Sequence, residues 1–100
     1  MKEKSTYRIN DTFIITGQGI VFAGNISEGL VSIGDWIEFD FNGSILRRRI
    51  NGIEGIRSLK EENNCGLSIE TTDSREIADL RSWEPNGLLA NIYSQASDES

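Results

Sequence analysis

The sequence predicts an all-β fold, a small closed antiparallel β-barrel. Three observations favour it: short apolar runs recur along the 100 residues, turn-forming residues separate them, and helical patterns are almost absent. Five glycines between residues 11 and 39 punctuate the runs at intervals that suit tight connections between strands. Because glycine accepts positive φ and lets backbones approach closely, this spacing allows a small sheet to curl into a barrel.

The first half of the chain predicts three strands. Tyr7–Thr16 is dominated by β-branched and aromatic residues, and Gly19–Ser27 is the second strand. Asp35–Phe41 is the third strand, in which apolar side chains alternate with acidic ones, the period of a half-buried strand. Asn42-Gly43 follows at once and predicts a type I′ hairpin turn, since that turn requires positive φ at both positions.

The second half predicts three more strands and one turn of helix. Ser44–Ile50 is expected to return antiparallel to the third strand, Cys65–Glu70 is a short strand, and Leu88–Tyr93 closes the barrel. A single helical turn is predicted over Arg75–Ala78, with Ser74 as its cap. The pattern contains no repeat and no linker, so one domain is expected.

The barrel is predicted to occupy residues 7–93. Residues 1–6 are interpreted as a loose leader, and residues 94–100 as a polar, acidic tail that is disordered. Met1 and this acidic ending favour a complete small protein over an excised domain.

Composition excludes several classes of function. The net charge is −6, from 16 acidic and 10 basic residues, which argues against a protein that binds duplex nucleic acid nonspecifically through many phosphate contacts. No apolar run approaches the roughly 20 residues that span a bilayer, so no membrane segment is predicted and the cytoplasm is the expected location. A small site that binds one nucleotide end remains compatible with this charge.

No catalytic residue, metal site or cofactor is predicted, and the chain is interpreted as a non-enzymatic protein. Histidine is absent and Cys65 is the only cysteine, so there is neither a disulfide nor a zinc site of the usual kind. Without a histidine to activate its thiol, Cys65 is expected to be a small core residue. The carboxylates form no recognisable acid–base pair.

Five short motifs occur in the order in which one protein family carries them. The first comprises Asp11, Phe13, Ile15, Gly17, Gly19, Val21 and Gly24, and the second comprises Gly29, Val31, Gly34, Asp35, Ile37 and Glu38. The others are Gly52-Ile53-Glu54-Gly55-Ile56-Arg57, Asn64-Cys65-Gly66-Leu67 and Asn86-Gly87-Leu88-Leu89-Ala90. Each is weak alone, but in this order they make residues 7–93 resemble the second domain of elongation factor Tu and its translational GTPase relatives, here as a stand-alone β-barrel.

The resemblance implies a binding site for an RNA end. In the family, the glutamate and arginine of the third motif and the asparagine of the fourth surround a shallow pocket for the terminal adenosine of aminoacyl-tRNA. The matching residues here are Glu54, Arg57 and Asn64. Arginine can pair with a phosphate or stack on a base, and glutamate and asparagine can bind base edges or a ribose hydroxyl. A surface ion pair between Glu54 and Arg57, which stabilises little, is the plainer alternative.

Departures from the family pattern favour a second hypothesis, a protein-interaction module that mimics the factor's domain. Gln18 and Ile20 replace an arginine and a threonine, and the segment 78–85, which carries Trp83, looks inserted. No phosphate-binding Gly-x-x-x-x-Gly-Lys-Ser/Thr loop occurs, so this chain does not bind GTP by itself. Such a module would act as a decoy or regulator of translation-machinery proteins, or join a GTPase on another chain.

The two tryptophans and the one arginine cluster each allow a structural and a functional interpretation. Trp36 is expected to pack locally under a loop, whereas Trp36 and Trp83 together would form a patch for a protein partner. Arg47-Arg48-Arg49 is the only dense basic cluster, and on a strand Arg48 should point opposite to the other two. A solvated strand face, or an edge protected from aggregation, is favoured over a patch for RNA phosphate.

Overall fold

The computed structural model describes residues 3–15, 19–55, 64–71 and 74–94. These residues form the strands β1 (Glu3–Ile15), β2 (Gly19–Glu28), β3 (Trp36–Phe41), β4 (Ser44–Gly55), β5 (Asn64–Ile69) and β6 (Leu88–Tyr93), and the helix α1 (Ser74–Ser82). The strands close into a barrel in the order β1-β2-β5-β4-β3-β6, and each neighbouring pair is antiparallel. The predicted all-β class and closed antiparallel barrel are therefore confirmed.

Alternate residues of the strands fill the barrel. The interior contains Tyr7, Ile9, Ile20, Phe22, Ile37, Phe39, Ile50, Cys65, Leu67, Ile69, Leu80, Ala90 and Ile92. The Tyr7 hydroxyl donates to the carbonyls of Phe22 (3.2 Å) and Cys65, which joins β1 to β2 and β5 through the core. Cys65 is a buried core residue, as predicted. Each large apolar side chain that is fully buried stabilises the fold by roughly 1.5–3 kcal/mol relative to exposure.

The β3–β4 connection is the predicted hairpin. Asn42 (φ 52°) and Gly43 (φ 93°) both have positive φ, as a type I′ turn requires. The Asp40 carboxylate accepts the Gly43 N–H at 2.8 Å, which fixes the turn further. The local sequence signal was sufficient here because the turn conformation depends on these residues alone.

The first strand starts earlier than predicted, so the leader assigned to residues 1–6 is wrong for residues 3–6. Ser5 and Thr6 pair with Ile92 and Asn91 of β6, and Thr6 also pairs with β2. Lys4 Nζ lies 2.7 Å from Oδ2 of Asp35, a buried carboxylate. Residues 3–6 are polar and have no apolar pattern that would predict a strand. They belong to the barrel because their backbone pairs with strands on both sides. Residues 95–100 of the predicted tail lie outside the described residues.

The helix is longer than the single turn predicted and closes one end of the barrel. Leu80, beyond the predicted turn, is fully buried, and its carbonyl accepts the Thr12 hydroxyl at 2.8 Å. Just after the helix, Trp83 stacks on Phe39 with ring centroids 5.6 Å apart and meets the edge of Phe41 at 5.2 Å. The helix continues beyond the predicted turn, which ends at Ala78, because burial of Leu80 in the barrel stabilises the additional residues.

Candidate binding site

Glu54 lies on the outer surface of the barrel, on β4 opposite Gly66 of β5. Gly66 alternates with Cys65 and Leu67, which point into the core, so the Gly66 position faces outward. A Cβ added at Gly66 would lie 3.1 Å from Cγ1 of the buried Val21 and 3.4 Å from Cβ of Glu54. The absence of a side chain at Gly66 therefore lets Val21 and Glu54 pack closely over the backbone of β5.

A second glycine borders the same carboxylate. A Cβ added at Gly52 would lie 3.6 Å from Oε2 of Glu54 and 3.5 Å from Cβ of Ser68, its partner on β5. Gly52, Glu54, Gly66, Ser68 and Val21 are thus neighbours on the outer side of β2, β5 and β4, a group hereafter called the Glu54 depression for the side chains that Gly52 and Gly66 lack. It carries one carboxylate between two positions that have no side chain.

The Glu54 carboxylate has no partner among the residues that the structure describes. Glu54 is partly buried, yet it makes no hydrogen bond or ion pair with another residue in the part of the chain that the structure describes. A partly desolvated carboxylate without a protein donor is a strong acceptor for hydroxyl or amino groups. This chemistry suits a ribose hydroxyl or the exocyclic amine of a base.

Asn64 and Arg57 are the other two residues that the resemblance implies, and the structure describes only the first of them. Asn64 begins β5 and pairs with Asn25 of β2, two residues from Gly66, or about 7 Å along the strand. The structure therefore brings its backbone close to the Glu54 depression. Arg57, and with it the alternative ion pair to Glu54, lies outside the described residues.

The three arginines of β4 alternate in direction, as predicted. Arg48 points toward α1, where its Nε lies 3.1 Å from Oε2 of Glu76. Arg47 and Arg49 lie over the rings of Tyr93 and Trp36, with the guanidinium carbons 5.2 Å and 4.4 Å from the ring centroids. These are cation–π contacts, so the cluster is divided between an ion pair on one side of the strand and ring contacts on the other.

Glu38 lies with the two arginines that contact aromatic rings. We call this set the arginine–aromatic face; it consists of Trp36, Glu38, Arg47, Arg49 and Tyr93. Its carboxylate accepts Arg47 at 2.9 Å and the Tyr93 hydroxyl at 3.3 Å. Desolvation and then the Glu38 charge raise the pKa of the Tyr93 phenol. Because its charges and rings already contact one another, this face stabilises the sheet β4-β3-β6, and Trp36 has the local packing that the sequence favoured.

The two tryptophans do not form one patch. Trp36 is the first residue of β3, whereas Trp83 contacts Phe41, the last residue of that strand. Five residue steps of extended chain separate Trp36 from Phe41, a distance of about 17 Å. Trp83 belongs to the structural closure of the barrel, and any partner surface near it must be sought beside α1.

An open cleft of about 600 Å³ lies beside α1 and the β3–β4 turn. Its lining, hereafter the α1 cleft, consists of Phe41, Asn42, Asp79, Ser82, Trp83, Glu84 and Asn86. The sequence interpretation singled out Trp83 in this segment but missed Asp79 and Glu84. The sequence signal that could have indicated them is the presence of acidic residues before and after the tryptophan, at positions 79 and 84.

In residues 3–15, 19–55, 64–71 and 74–94 no three histidine, cysteine or acidic side chains gather as metal ligands. The single helix of these residues is too short and polar to cross a bilayer. No family model matches the chain.

Proposed function

We propose that the chain is a stand-alone, non-enzymatic binding module, similar to the second domain of elongation factor Tu, that engages the 3′ end of an RNA such as tRNA. The face that carries Glu54, Arg57 and Asn64 is the binding surface. The observation that supports this most is the Glu54 depression, where a partly buried carboxylate between Gly52 and Gly66 has no partner among residues 3–15, 19–55, 64–71 and 74–94. The five motifs in family order supply the expected ligand.

The chemistry of the depression suits a terminal nucleoside. The Glu54 carboxylate accepts hydrogen bonds from a ribose hydroxyl or a base amine, and the partly exposed Gly52 lets the ligand approach the backbone beside it. Arg57 and Asn64 would contribute a phosphate or base contact, as the resemblance implies. A stacked base contributes about 1–3 kcal/mol, so a weak site specific for an end is expected. A chain of net charge −6 does not need a long phosphate-binding surface for this task.

Equilibrium binding of a fluorescently labelled single-stranded RNA ending in cytidine-cytidine-adenosine tests the proposal by anisotropy. Glu54→Gln and Arg57→Ala are expected to weaken binding about fivefold or more, because each removes a hydrogen bond to a charged group. Glu28→Gln is the matched control, since Glu28 is an exposed carboxylate at the end of β2. Equal affinity of all four proteins, or no binding by any, contradicts the proposal.

A protein-interaction module that mimics the factor's domain, as a decoy, a regulator or the partner of a GTPase on another chain, is the second candidate. The observation that favours it is the α1 cleft, which is acidic and therefore repels RNA phosphate. Substitution of Trp83 cannot test this candidate as such, because Trp83 packs on Phe39 and Phe41 and its loss would destabilise the barrel.

A further inference from the structure

The α1 cleft joins apolar and acidic surfaces in one concavity. Phe41 and Trp83 line it, with ring centroids 5.2 Å apart. Asp79, from the last turns of α1, and Glu84, just after the helix, add two carboxylates. The side chains that line the cleft include no lysine or arginine. The cleft therefore presents aromatic surface next to uncompensated negative charge.

Both carboxylates lack a partner within the described part of the chain. Asp79 and Glu84 make no side-chain hydrogen bond or ion pair with any other described residue. Arg75 lies one turn before Asp79 and lines the adjoining groove with it, yet the two form no ion pair. By contrast, Glu76 on the same helix is paired with Arg48. Arg48 of β4 thus neutralises Glu76, whereas Asp79 and Glu84 have no cationic partner among the described residues.

We propose that the α1 cleft binds an arginine or lysine side chain of a partner protein. The apolar stem of such a side chain packs against Phe41 and Trp83, and its charged head lies between Asp79 and Glu84. A side chain that is apolar along its length and cationic at its tip matches both surfaces, whereas a phosphate or a carboxylate matches neither, because the two carboxylates and the faces of the rings repel an anion. The cleft, about 600 Å³ in volume, is large enough for one such side chain.

The fold holds the walls of the cleft in place before a ligand arrives. One wall is the β3–β4 turn, where Asn42 has the positive φ of a type I′ turn. The opposite wall is α1, anchored by the buried Leu80. Trp83 is fixed between them by its contacts with Phe39 and Phe41. Binding a side chain therefore requires little reorganisation of the protein, which reduces its entropic cost.

This site is separate from the Glu54 depression and does not depend on the proposed RNA function. The depression lies where β4 meets β5, whereas the cleft lies beside α1 and the end of β3. The proposed ligands also differ, because Glu54 would accept hydroxyl or amino groups of an RNA end, whereas the cleft would bind a cationic side chain. An RNA titration and a cation titration should therefore shift different residues, so one proposal can fail while the other stands.

The test is an amide NMR titration of the ¹⁵N-labelled protein with the peptide acetyl-glycyl-arginyl-glycinamide. Its control is the same peptide with citrulline, which has nearly the same shape and no charge. Saturable shifts at Phe41, Asp79 and Glu84 and at the Trp83 indole are expected with arginine, and much smaller shifts with citrulline. Added salt should weaken the arginine response, because the carboxylates are exposed to solvent.

Variants assign the response to the cleft. Asp79→Asn and Glu84→Gln should each weaken arginine binding about two- to fivefold, the range for exposed ion pairs, and the double variant should weaken it further. Glu28→Gln, at the far end of β2, should bind as the unaltered protein does. Equal shifts with arginine and citrulline, no shifts with either, or unchanged affinity of the double variant would each overturn the proposal.

Discussion

At the scale of single residues, two buried groups inside the barrel are held in their neutral forms. Burial, and then the proximity of Cys65, raises the pKa of the Tyr7 phenol far above its ordinary value of 10.0. Burial also raises the pKa of the Cys65 thiol from its ordinary value of 9.0. Tyr7 donates to two carbonyls, so its proton is part of the core's hydrogen bonding. Ionisation of either group is incompatible with the apolar interior.

These shifts predict how stability depends on pH. Both folded-state pKa values are raised, so the native state holds protons that the unfolded chain releases above about pH 9 for cysteine and pH 10 for tyrosine. The free energy of unfolding should therefore be constant below this range and fall as the pH rises through it. Urea unfolding between pH 7 and 11 measures the effect, and Cys65→Ala should remove the part that begins near pH 9. A free energy of unfolding that rises across this range contradicts the assignment.

At the scale of elements, the joining of β1 to β2 depends on a glycine. Gly24 pairs with Ile9, next to an irregularity in the register between Ile9 and Asp11. A Cβ at Gly24 would lie 1.8 Å from the carbonyl oxygen of Arg8, a contact that the backbone of β1 must move to relieve. Glycine at this position thus permits two backbones to approach as the barrel curves.

Gly24→Ala is expected to lower the free energy of unfolding by about 3 kcal/mol or more, at or above the upper end of the range for overpacking. Gly52→Ala is the matched control, because a Cβ there meets nothing closer than 3.5 Å. Gly52→Ala should therefore keep the fold but narrow the Glu54 depression and weaken RNA binding. Chemical denaturation and RNA anisotropy measure the two effects. If the two variants are equally stable, the close approach of the strands does not require glycine.

The same elements show what the sequence can and cannot predict. The third strand and its hairpin were predicted correctly because alternation in Asp35–Phe41 and the residues Asn42-Gly43 are local signals. The start of β1 was missed, since its polar residues become a strand only by pairing with β2 and β6. The length of α1 was missed because Leu80 is buried by the barrel and not by the helix itself. Long-range contacts decided both cases.

The candidate site shows the same limit. The Glu54 position came from a motif, but the depression depends on β4 and β5 placing Gly52, Glu54 and Gly66 side by side, which sequence alone does not establish. The carboxylates of the α1 cleft were missed because their common feature, the lack of a partner among the described residues, is visible only in three dimensions. Residue types suggest chemistry, whereas the fold decides which groups remain available.

At the scale of the whole molecule, one closed barrel carries two separate candidate surfaces. Closure removes free strand edges, so the barrel presents side chains and clefts for recognition in place of unpaired backbone. The arginine–aromatic face strengthens β4-β3-β6 through internal contacts. The proposed RNA end and the proposed cationic side chain then bind different parts of one small rigid scaffold.

The measurement that tests the central proposal most directly is an amide NMR titration of the labelled protein with a short single-stranded RNA ending in cytidine-cytidine-adenosine, at moderate salt. Saturable shifts that cluster at Glu54, Gly66 and Ser68, next to the predicted partners Arg57 and Asn64, are expected. The same RNA with a terminal uridine should shift these amides less. A flat titration of a protein whose spectrum shows the folded barrel would contradict the account.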